Sequence, residues 1–123
     1  MDMKQQRKKA VKFTDLEAWQ YGHALTLDVY RTTQEWPKEE IYGLASQIRR
    51  AAVSNLAEGF SRSTKVDKGR FYTMAHGSLT EVQNQLLVAR DLQYVPTSVF
   101  QAMADKAIVT HKLITGLIKS LKD

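Results

Sequence analysis

The sequence predicts an all-α chain, an antiparallel up-down-up-down bundle of four helices. Three observations predict it. Apolar residues recur at spacings of three and four through four long segments, the period of helices buried on one side. No stretch alternates with period two for long, and no Asn-Gly or Asp-Gly pair offers a hairpin turn. The two prolines, Pro37 and Pro96, fall between periodic segments.

Residues 13–35 read as the first helix. Leu16, Trp19 or Gln20, His23, Leu27 and Tyr30 form one stripe, and Ala18, Gly22, Leu25 and Val29 a second beside it. Together they make an apolar arc wider than one core needs. Thr14 is the expected N-cap, with Glu17 completing a capping box and Phe13 placed for a hydrophobic staple. Trp36-Pro37 ends this helix, because the residue before proline is pushed out of the α region.

Pro37 suits the first turn of the second helix, where its missing N–H costs nothing. Glu39 and Glu40 favour the same positive end of the helix dipole. Ile41, Leu44, Ala45, Ile48, Ala51, Ala52, Leu56 and Phe60 give its apolar face, and Gly59 with the polar residues 61–64 marks its end. The third helix spans 65–93 and is about 45 Å long. Thr64 and Asp67 form its capping pair. Phe71, Ala75, Ser78, Val82, Gln85, Ala89 and Leu92 repeat as a heptad seam, widened by Leu79, Leu86 and Leu87. Tyr94-Val95-Pro96 breaks it. Thr97 or Ser98 is expected to cap the fourth helix, with Val99, Phe100, Met103, Ala107, His111, Ile114, Leu117, Ile118 and Leu121 on its face. Gly22, Gly69, Gly77 and Gly116 lie inside these helices, at about 1 kcal/mol each relative to alanine. Close backbone approach would offset that cost. Gly69 reads instead as a tolerated exposed position.

At 123 residues the chain has the length of one domain. The expected division is a basic flexible tail, 1–12, and a bundle domain, 13–123. Cysteine is absent, which excludes disulfides, thiolate metal sites and a cysteine nucleophile. No apolar run approaches a membrane span and the N-terminus has no secretory h-region, so a cytoplasmic protein is expected. The net charge of +5 is unevenly spread: +4 in residues 1–12, −4 in 13–48, +4 in 49–70 and +1 beyond. Residues 13–123 together carry only +1. Such segregation points to a polyanionic partner or to assembly through opposite patches.

Chemistry of the catalytic kind finds no support. His23, His76 and His111 fall on three helices without Glu-x-x-His spacing, so no metal is expected, and His23 and His111 read as satisfied core or interface residues. Glu58 and Glu81 lie near apolar faces, where ion pairing is the expectation. No phosphate loop, nucleophile elbow or paired inward carboxylates occur. The chain is therefore expected to be no enzyme and to need no cofactor. The candidate nucleic-acid contacts are Lys4, Arg7, Lys8, Lys9 and Lys12 in the tail, and Arg49, Arg50, Arg62, Lys65, Lys68 and Arg70 in the middle. Lysine and arginine neutralise phosphates and release counterions. Tyr72 nearby is placed to stack on a base.

Several blocks carry a family resemblance: Phe13-x-x-Leu16-x-x-Trp19-Gln20, Trp36-Pro37, Gly43-Leu44, Gln47-Ile48-Arg49-Arg50-Ala51-Ala52-Val53-Ser54, Asn55-Leu56-Ala57-Glu58-Gly59, Gly77-Ser78-Leu79-x-Glu81 and Gly116-Leu117-Ile118-Lys119-Ser120-Leu121. Over about residues 13–121 the chain resembles the bacterial four-helix-bundle proteins encoded in intervening sequences of 23S rRNA genes. The resemblance implies a bundle that forms homopentamers, with an RNA-binding role proposed for the family. It extends to the accessory variability proteins of diversity-generating retroelements, similar bundles that bind nucleic acid and a reverse transcriptase. Arg49 and Arg50 match the family's paired arginines, which serve either RNA contact or subunit packing. One departure stands out: relatives carry an Ile-Pro-Ser-like insert between the residues matching Ser54 and Asn55. Its loss shortens a helix by about 4.5 Å and rotates the downstream residues by about 60°. Without the proline, the second helix is expected to be less kinked. Trp36 also stands where phenylalanine is more usual.

The expected function is a non-enzymatic, homo-oligomeric, nucleic-acid-binding bundle, with the acidic first segment facing a neighbour's basic middle. The alternative is a protein-interaction scaffold or an accessory subunit of a retroelement reverse transcriptase.

Overall fold

Backbone hydrogen bonding divides the chain where proline and polar residues interrupt its periodicity. The structure, a computed structural model, describes residues 9–122. A 3-10 turn, Phe13–Asp15, leads into α1 (Glu17–Thr32), which tightens into a second 3-10 turn at Thr33–Glu35. Trp36 is extended, as the residue before a proline must be. Three segments then follow as one helical rod: α2 (Lys38–Ile48), a π turn (Arg49–Asn55) and α3 (Leu56–Ser61). The third rod is α4 (Lys65–Asp91) and the fourth is α5 (Thr97–Ser120). No strand occurs among the described residues. α1 packs on α5, α5 on α4, α4 on the α2–α3 rod, and that rod on α1, so four rods enclose one core.

The helix ends follow local chemistry, with two corrections. Asp67 donates its backbone N–H to Thr64 Oγ1 at 3.1 Å, as the capping pair predicts. Thr14 does not cap α1, because the chain spends it in the 3-10 turn and Leu16 becomes the N-cap without a side-chain bond. Asp15 instead accepts the N–H groups of Val11 and Lys12, both at 3.0 Å. These bonds hold its carboxyl below the usual 3.8. The end of the expected tail is thereby tied to the bundle. Neither Thr97 nor Ser98 caps α5, since Pro96 takes the N-cap position. At the end of α4, Gln93 has φ 62°. Its N–H donates to Arg90 O at 3.0 Å and that of Tyr94 to Ala89 O at 2.9 Å. This is a Schellman closure with glutamine where glycine is usual.

Burial decides between competing stripes. α1 turns Ala18, Gly22, Leu25, Thr26 and Val29 inward, whereas Leu27 and Tyr30 of the other stripe are each 38% exposed. α4 buries Tyr72, Ala75, Leu79, Val82, Leu86 and Ala89, so its seam lies one position beyond much of the expected heptad. The reason is size: centring the seam on Leu79 and Leu86 removes more apolar surface than centring it on Ser78 and Gln85. The buried hydroxyls of Thr26, Thr33 and Thr110 each donate to a carbonyl one turn back, at 2.8, 2.6 and 2.7 Å. None is left unpaired in the core.

The rod contains no proline, and its irregularity is the π turn over Arg49–Asn55. Hydrogen bonds from i to i+5 add a residue to each turn, which slows the rotation of successive side chains. Ile48, Ala51, Ala52, Leu56 and Gly59 are consequently all buried on one side. Two glycines set the closest approaches. A Cβ on Gly22 would lie 2.7 Å from that of Ala52, so α1 crosses the π turn nearly backbone to backbone. A Cβ on Gly59 would lie 2.7 Å from the Tyr72 ring. Gly77 and Gly116 face open space.

Candidate nucleic-acid interface

The corner where α3 turns into α4 gathers four of the candidate cations, and each is tied differently. Lys68 donates from Nζ to Phe60 O at 2.6 Å, with Gly59 O at 3.5 Å, so it satisfies the Phe60 carbonyl left over at the end of α3. Arg62 pairs with Glu58 at 3.1 Å. Its guanidinium lies 4.7 Å from the centre of the Phe71 ring, and that of Arg70 lies 5.4 Å from the same ring. Arg70 approaches Asp67 at 3.9 Å. Lys65 is exposed at the first position of α4.

The 3-10 turn Phe13–Asp15 packs on α3. The exposed Lys12 and Lys9, just before that turn, therefore approach the bundle at the same end as the corner. Two basic regions far apart in sequence are thus neighbours in the fold. Lys4, Arg7 and Lys8 lie outside the described residues.

Arg49 and Arg50 form a separate group. They open the π turn, about 18 Å along the rod from Arg62 at the usual helical rise. The six cations of 49–70 are therefore two clusters rather than one patch. Arg49 donates from Nη2 to the Tyr30 hydroxyl at 2.6 Å, and Arg50 has no ion pair among the described residues. Beside them is a cavity of about 570 Å³ whose walls include Tyr30, Lys38, Ile41, Tyr42, Arg49 and Arg50. Tyr30, Tyr42 and Lys38 belong to no motif. The signal that could have found Tyr42 is its place beside Ile41, on the outward side of an amphipathic helix.

Tyr72 is not available to a base. It is only 3% exposed, lies against Gly59, and burial pushes its phenol pKa up. The histidines also differ from expectation. His23 stacks on Trp19 with ring centres 4.6 Å apart, and its Nδ1 is buried without a hydrogen-bond partner. His76 of α4 and His111 of α5 meet at 4.0 Å between ring centres. Burial lowers the pKa of His111, and the neighbouring His76 lowers it further. No three potential metal ligands cluster among the described residues. Glu58 has the expected partner, while Glu81 has no ion pair among the described residues. In the acidic first segment, Asp28 is paired with Lys106 across α1 and α5, and Asp15 is used in its own turn.

No helix among the described residues is long and apolar enough to cross a membrane. A comparison with curated proteins gives no match. The family model described as 23S rRNA-intervening sequence protein matches residues 14–116, which is most of the chain and reaches into all four rods. With an all-helical fold over the same span, the chain belongs to the 23S rRNA-intervening sequence protein family.

Proposed function

We propose that the protein is a non-enzymatic, homo-oligomeric bundle that binds nucleic acid, RNA first, through its basic end in the cytoplasm. The observation that carries this reading is the packing of the Phe13–Asp15 turn on α3, which brings the basic N-terminal region to the corner of Arg62, Lys65 and Arg70. Cations collected at one end track a phosphate backbone better than cations scattered over a surface. The family's description as 23S rRNA-intervening sequence protein agrees with RNA as the polyanion. Exposed Leu27, Leu87, Val88 and Ile108 offer apolar surface for subunit contact, in line with the pentamer expected from the resemblance.

The test is affinity for a single-stranded RNA measured against salt. The logarithm of the affinity should fall with a slope of about −0.7 for each phosphate neutralised. Replacing Lys12, Arg62 and Arg70 together by glutamine should weaken binding and make that slope shallower by about 2. An affinity insensitive to salt, or unchanged in the triple variant, refutes the phosphate contact. Sedimentation at micromolar concentration tests assembly separately, and a monomer refutes it.

A further inference from the structure

We propose that the cavity between α1 and the α2–π-turn segment receives the base of one nucleotide of a single-stranded nucleic acid, with its phosphates on Lys38 and Arg50. This rests on the nucleic-acid reading above and gives it a second, chemically different site. The volume of about 570 Å³ is that of a small-ligand pocket. Its walls combine what a nucleotide requires. Ile41 and two tyrosines supply apolar and aromatic surface, and three cations surround it without any carboxylate. Tyr42 is 79% exposed, so almost all of its ring is free to cover a base. A base stacks on an aromatic ring whatever its identity, so such a pocket is sequence-tolerant.

Arg49 is fixed by its bond to the Tyr30 hydroxyl, which orders one wall before any ligand arrives. Arg50 is exposed beside it on the π turn, an irregularity that often marks functional positions. A phosphate-bearing occupant fits better than the same face of a second copy, because two such cation-rich faces would repel; a neighbour's acidic face is the competing occupant that the experiment separates. The corner binds only backbone, and the cavity is where bases are felt.

The experiment compares an oligoadenylate RNA with an abasic phosphodiester chain of equal length, both at low salt. The wild type should prefer the base-bearing probe by about tenfold. Tyr42→Ala should bring that preference close to one while helicity and sedimentation stay unchanged. Tyr21→Ala, on the opposite side of α1, should leave the preference intact. Replacing Arg62 and Arg70 by glutamine should weaken both probes equally. The pocket is refuted by equal binding of the two probes, or by a preference that survives Tyr42→Ala. It is refuted too if Tyr42→Ala lowers the oligomer mass but not the preference, since the occupant is then another subunit. Loss of both probes refutes the nucleic-acid reading itself, an outcome distinct from equal retention of both.

Discussion

The α3–α4 corner and the π turn both gather arginine or lysine, yet they hold their charges differently. At the corner, Lys68 is spent on the carbonyls of α3, Arg62 on Glu58, and Arg70 is drawn toward Asp67. At the π turn, Arg49 meets only the neutral hydroxyl of Tyr30, and Arg50 has no ion pair among the described residues. A net +4 counted over residues 49–70 is therefore not a charge of +4 offered to a partner. The turn keeps most of its formal charge unpaired, while at the corner internal pairs take up much of it. The two regions also rest on different foundations: Gly22 against Ala52 beneath the turn, and Gly59 against Tyr72 beneath the corner.

The most direct way to break this comparison is to add a methyl group at each foundation. Ala52 Cβ is fixed to a helix backbone, so Gly22→Ala forces α1 and the π turn apart and should cost about 3 kcal/mol. The Tyr72 ring ends a side chain and can yield in part, so Gly59→Ala should cost about 1–2 kcal/mol. Urea denaturation followed by helicity measures both. The reverse order would mean that the corner, not the turn, is the rigid part of the rod.

A smaller effect separates structural cations from presented ones. Lys68→Met removes the donor that satisfies the end of α3 and should cost about 1 kcal/mol, a hydrogen bond to a charged group discounted for partial exposure. Arg50→Met should change stability by less than about 0.5 kcal/mol, as a surface substitution without a partner does. Equal costs would show that Arg50 holds the π turn together, and would remove the contrast on which the base pocket depends.

The four rods were legible because residues such as Leu25, Leu56, Leu79 and Ile114 recur with a helical period strong enough to survive any neighbour. What failed was the choice between adjacent stripes. On α1 both sets are apolar, and only contact with Ala52 and Thr110 selects the one containing Gly22. The burial of Tyr72 has no local signal either: nearness to the basic segment places it at a surface, whereas its partner Gly59 lies in another helix. The paired arginines were visible as residues, but not their separation from the corner, because that depends on length along a rod. The docking of the Phe13–Asp15 turn on α3 could not be read at all, since nothing local encodes where a 3-10 turn will dock. The Thr64–Asp67 cap succeeded because it needs only local chain.

The smallest predicted effect asks whether acid loosens the two regions at different pH. Thr110 packs against the Gly22 position, so the neighbouring His111 and its partner His76 lie level with the π turn. The pKa of His111 is lowered from 6.5 in the fold, first by burial and then by His76. The unfolded chain then takes up its proton at higher pH than the native one. Stability from this group is full above pH 6.5 and declines as pH falls toward the lowered folded value. The loss should be under about 1 kcal/mol because the ring is only partly buried. Asp15, on the turn that docks at the corner, has a carboxyl held below 3.8. Its contribution is full above that value and is lost only as pH falls through the lower folded one. Hydrogen exchange at mildly acidic pH should therefore quicken around Ala52 and Thr110 while amides near Asp15 keep their protection, and His111→Gln should abolish the difference. Uniform quickening in the wild type would show that the rods open together, which would make the turn and the corner one cooperative unit.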